Sequence, residues 1–114
     1  GGRKDVITKL SQIEIDVLKH FNNFLFEMDQ INEGNGTLLD HTTVVMGSNF
    51  GDSSNHTCNN LPMIVAGGGY QHESHKVMQK PTPLCNLYLE LLHKHNMDFG
   101  NFGSSEKDMN LLKS

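Results

Sequence analysis

The chain has 114 residues, 36% of them apolar, and a formal charge of −4. That length suits one modest core. The acidic balance, with its basic residues scattered, excludes the positive stripe that a nucleic-acid partner requires. No apolar run approaches the ~20 residues of a membrane span, and the opening residues do not read as a signal peptide.

Residues 7–32 predict one long helix. Leu10, Ile13, Val17, Phe21, Phe24, Met28 and Ile31 recur at steps of three or four and make one apolar stripe. Gly34 supplies a stop, and Asn35-Gly36 a turn.

Residues 42–47 then predict a strand. The continuous Val44-Val45-Met46 run implies burial on both faces. Residues 62–66 predict a second buried strand that opens on Pro62, where a missing N–H is tolerated. Gly67-Gly68-Gly69 reads as a strand exit needing unusual dihedral angles, since no Lys-Ser/Thr pair follows to make a phosphate loop.

Between these strands lies a long loop made almost wholly of Gly, Ser, Asn, Asp and Thr, with one histidine, His56. Long loops in compact domains are commonly functional, and α/β proteins place their chemistry where loops leave buried strands. Ser48, Asn49, Asp52, Asn55 and His56 are therefore the candidate substrate or anion contacts, with His56 the candidate metal ligand. If they form a site, the His56 ring lies close to Asn49 or Asp52. The alternative is an exposed loop histidine.

Residues 70–80 read as a polar loop in which His72 and His75 flank Glu73. A second helix is expected from Thr82 as N-cap and Pro83 at its first position to about Asn96. Its expected apolar face is Leu84, Leu87, Tyr88, Leu91 and Leu92. His93 and His95 near its end suit the helix dipole, and His41 suits a turn at the strand entrance. Of the two cysteines, Cys85 reads as a small core residue, with a Cys58–Cys85 disulfide the less favoured alternative. Met97–Ser114 forms the tail. The fold class predicted is α/β: a small, mostly parallel or mixed sheet flanked by two helices, in a single domain over residues 1–114. So small a sheet leaves strand edges and apolar helix surface open, and predicts a homo-oligomer.

The run from Glu33 to Gly69, EGNGTLLDHTTVVMGSNFGDSSNHTCNNLPMIVAGGG, followed by TPLCNLYLELL and FGSS, closely resembles the C-terminal part of the bacterial domain-of-unknown-function family 1552. More distantly the arrangement is similar to the C-terminal half of the alkaline phosphatase and sulfatase superfamily. The resemblance implies a piece of a three-layer fold, continued by an N-terminal part of the parent protein. It implies an exported, periplasmic or extracellular protein of environmental bacteria, and hydrolysis of phosphate or sulfate esters by the full-length form. It also implies a divalent metal, zinc or calcium, in the full-length protein and none in this chain alone.

In that superfamily a strand ends in Ser-Asp-His-Gly, and a later histidine precedes a Pro-led strand. Here Ser48-Asn49-Phe50-Gly51 stands for the first motif and His56 for the later histidine. Asn49 replaces the aspartate and Phe50 the histidine, which removes an anionic and an imidazole ligand. Two functions follow. One is the C-terminal piece of a metal-dependent hydrolase. The other is a degenerate, non-catalytic module for binding or assembly.

Overall fold

The computed structural model describes residues 2–52, 54–72 and 75–113. Its elements run helix α1 (Gly2–Asp29), strands β1 (Thr43–Gly47) and β2 (Met63–Gly67), then helix α2 (Leu84–Lys94). The chain divides into two compact units, Gly1–Gly69 and Tyr70–Ser114. Among the described residues no helix is long and apolar enough to cross a membrane.

In the first unit, α1 begins earlier than expected and ends earlier, at Asp29. Ile31 thus falls off the helical stripe and is exposed. The reason is local. Residues 31–38 fold back as a small turn in which Glu33 N–H donates to Gly36 O (2.8 Å) and Leu38 N–H to Ile31 O (2.8 Å). The Gly34 amide donates to Asn32 Oδ1, and the Thr37 hydroxyl to Asp29 Oδ1. Gly34 and Gly36 take the positive φ values, 94° and 144°, that the turn demands. Met28 is buried, whereas Val6, Ile7, Leu10, Ile13 and Val17 are exposed.

β1 and β2 pair antiparallel, with Thr43 opposite Gly67 and Gly47 opposite Met63. The expectation of a mostly parallel or mixed sheet is corrected here. A parallel pair needs a crossover, usually through a helix. The connection from 48 to 62 instead bends back on itself and returns the chain alongside β1. The expected burial of both strands also fails. Val45 and Ile64 are exposed and no strand residue is buried. Within this unit α1 does not lie across the hairpin, so the sheet has no helical cover from it. A two-stranded antiparallel pair commonly leaves a face in water.

The glycine exit behaves as the sequence implies. Gly67, Gly68 and Gly69 have φ of 76°, 72° and 71°. The Gly68 amide donates to Leu39 O (3.0 Å) and Thr42 O (2.9 Å), and a Cβ on Gly67 would collide with the Thr42 carbonyl.

The second unit is organised by α2. Pro83 is the residue before the first helical position, and the Thr82 hydroxyl turns back to donate to Lys80 O (2.8 Å), so Thr82 does not cap the helix. The Asn86 amide donates to Pro83 O instead. Leu87 and Leu89 are buried with Leu112. So are two polar residues, Asn86 and Glu90. Asn86 Oδ1 accepts from the backbone amides of Glu106 (2.8 Å) and Lys107 (3.4 Å). Glu90 accepts from Leu111 through Oε1 (2.9 Å) and from Leu112 through Oε2. The tail forms no further strand among the described residues beyond one bridge, Gln71 to Lys113. Both cysteines are free.

Glu90 satisfies two tail amides from a fully buried position, and an orphaned buried donor costs about 1–3 kcal/mol. Glu90→Ala should therefore lower stability by about 3 kcal/mol, the two amides adding to a small cavity. Urea unfolding followed by circular dichroism checks this; a change under about 0.5 kcal/mol, typical of a surface position, would show that the anchor is not engaged.

Candidate functional site

The loop after β1 is built from local hydrogen bonds. Ser48 Oγ donates to Phe50 O (2.8 Å) and accepts from the Phe50 amide (3.3 Å). Asn49 stands exposed at the bend between them. Gly51 and Asp52 then pair with Thr57. The Gly51 amide donates to Thr57 O (2.9 Å), and the Thr57 amide to Asp52 O (3.1 Å). Gly51 has no room for a side chain, because a Cβ there would meet the Asn59 carbonyl oxygen.

Asp52 closes this small hairpin as an Asx turn. Its Oδ1 accepts from the amides of Ser54 (2.9 Å) and Asn55 (3.2 Å), and its Oδ2 accepts from Asn55 Nδ2 (2.7 Å). The Asn55 side chain, then the Asn55 and Ser54 amides, hold the Asp52 carboxyl below the usual carboxylate range against a small opposing effect of burial. Both carboxylate oxygens are thus engaged inside the loop.

His56 follows in the left-handed region, at φ 52°. Its ring stacks on Phe50, with centroids 5.0 Å apart and planes inclined by 21°. Among the described residues it makes no hydrogen bond with Asn49 or Asp52. The structure therefore brings together Asp52 with Asn55, Ser48 with Phe50, and Phe50 with His56. No described group of three or more His, Cys, Asp or Glu side chains is placed to hold a metal ion.

Three other histidines, His41, His72 and His93, have local partners. His41 Nδ1 lies 2.8 Å from Glu33 Oε1, so it braces the turn after α1. His72 meets Tyr70 edge to face, with centroids 6.0 Å apart. His75 is exposed, and Glu73 lies outside the described residues. His93 bridges Asp108 and the Phe99 carbonyl.

Sequence reasoning passed over Phe50 as the partner of His56. The pattern Asp52-x-x-Asn55 carried a readable turn signal, whereas the pairing of His93 with Asp108 spans too great a separation to leave one. Comparisons with protein-family models, curated proteins and solved structures find no match for this chain.

Because the folded carboxyl of Asp52 is held low, the loop keeps this contribution above the ordinary carboxylate range and loses it as pH falls through the depressed value. Amide spectra across an acid titration should show Ser54 and Asn55 shifting together at a pH below that of an ordinary aspartate. Asp52→Ala should remove that transition and broaden the same two amides while leaving α2 unchanged. An ordinary aspartate midpoint would rule out the Asx turn.

Proposed function

We propose that this chain is the C-terminal part of an exported alkaline phosphatase-like protein, and that the part itself is non-catalytic. The observation that carries the reading is the state of Asp52. In the Asx turn the Asp52 carboxylate accepts from three donors of its own loop, which gives it a structural task that explains its place there without a ligand. Asn49 and Phe50 supply no anionic or imidazole donor at the strand end. Phe50 also covers one face of His56. The loop is thus shaped by its own hydrogen bonds, as a wall of a larger site or a docking element would be.

The surface of the first unit supports a place within a larger fold. Val6, Ile7, Leu10, Ile13 and Val17 along α1, and Val45 and Ile64 on the hairpin, are exposed. Apolar surface on this scale normally meets another surface. In the parent protein those faces pack against the remaining strands and helices of the layered fold. The nucleophile and first metal ligands then belong to the N-terminal part. Ser48, Asn49, Asn55 and His56 line the rim of that site and contact the ester's anion or its surroundings.

Elemental analysis of the chain after incubation with zinc and with calcium, alongside hydrolysis of p-nitrophenyl phosphate and p-nitrophenyl sulfate, tests this. The expected result is metal far below one equivalent, hydrolysis at the buffer rate, and no change in either on His56→Ala. Stoichiometric zinc that is lost in His56→Ala would overturn the non-catalytic reading and make His56 a ligand.

A further inference from the structure

The end of α2 and the segment that follows it meet at His93. Its side chain is 31% exposed. Nδ1 lies 2.7 Å from Asp108 Oδ2, and Nε2 lies 2.7 Å from the Phe99 carbonyl oxygen. A carboxylate and a carbonyl can only accept, while a neutral imidazole has one N–H to donate. A neutral ring would therefore aim a lone pair at an oxygen within hydrogen-bond distance. Only the imidazolium, with a donor at each nitrogen, satisfies both partners. The surrounding charges agree. Asp108 on the tail and Asp98 in the turn face the ring, Lys94 acts on Asp108, and the ring sits in the last turn of a helix, where the dipole favours a cation.

We propose that His93 is a proton-operated latch that ties the segment Met97–Asp108 to the end of α2. Protonated, it holds that segment at two points. On deprotonation the Nε2 proton leaves to solvent, because the carboxylate is the stronger acceptor and keeps the Nδ1 proton. The Phe99 carbonyl is then released. The turn through Phe99–Phe102 loosens, and with it the Phe102 wall of the open hollow that Tyr88, Leu91, Leu92, His95, Met97 and Phe102 line. The latch lies in the second unit, so it does not rest on the reading of the hairpin loop.

The sign follows from the geometry. The Phe99 carbonyl first, then Asp108, hold the His93 pKa above its ordinary value, with burial opposing. The latch is complete below the ordinary imidazole value, about 6.5, and is lost as pH rises through the raised one. Burial pushes the Asp108 carboxyl up, but the bonds from His93 and the Asn110 amide, with the charges of His93 and Lys94, outweigh it. Asp108 therefore stays ionised across this range, and of the pair it is His93 that switches.

The test is an NMR titration of the whole chain, reading the His93 ring shifts and the hydrogen exchange of the Phe99, Phe102 and Ser105 amides, which are bonded in the latched state. His93 should titrate above its value in urea-unfolded chain. Protection of the three amides should fall across that midpoint by the factor that the two midpoints define. His93→Gln, which cannot gain a proton, should show weak protection at every pH. Should that variant fail to fold, the wild-type titration decides alone. Protection that stays constant through the His93 midpoint, or a His93 midpoint at or below the unfolded value, would overturn the latch.

Discussion

Three polar side chains on one face of α2 hold the second unit together. Asn86, Glu90 and His93 are spaced four and three residues apart, so the helix presents them as one stripe. Each reaches a different stretch of the tail: Asn86 the amides of Glu106 and Lys107, His93 the carboxylate of Asp108, and Glu90 the amides of Leu111 and Leu112. Among its described residues the tail has no helix and only the single bridge from Lys113 to Gln71. Buried backbone donors must find acceptors, and here side chains supply them. Leu112 can enter the core beside Leu87 and Leu89 only because its amide is met there. In this unit the polar contacts permit the apolar ones.

The first unit is held differently. Its order comes from short-range devices: the turn at 31–38, the Asx turn at Asp52, and the glycine exit at 67–69. Each fixes the chain locally and buries little. The apolar surface that the sequence provides on α1 stays largely in water, and the hairpin is at most half-buried. This contrast accords with the proposed role. Local devices give the hairpin loop its shape in advance, and under that proposal the exposed faces would pack against the rest of a layered fold.

How much of this was legible in the sequence depends on range. The helices, the strands and the glycine exit follow from periodicity, β-branching and φ requirements, and each lies close to where those signals place it. The direction of strand pairing was not legible, because it turns on whether 48–62 crosses over or folds back, and polar residues allow either. Strand burial was misread because continuous apolar runs imply cover, and the runs cannot say whether that cover lies within the chain. In the candidate site, Asp52 and Asn55 were identifiable but their task was not; the same pair can serve a ligand or a turn. The buried acceptors were the least visible. Asn86 and Glu90 look like solvated positions of an amphipathic helix until the tail is laid across them.

The most direct measure of this organisation is native-state hydrogen exchange in the second unit at a fixed, mildly acid pH. The amides of Glu106, Leu111 and Leu112 should be as protected as those of Leu89 and Glu90 within α2, exchanging only when the whole unit unfolds. Exchange of the tail amides at the rate of an exposed chain, with α2 still protected, would contradict the claim that its polar face anchors the tail.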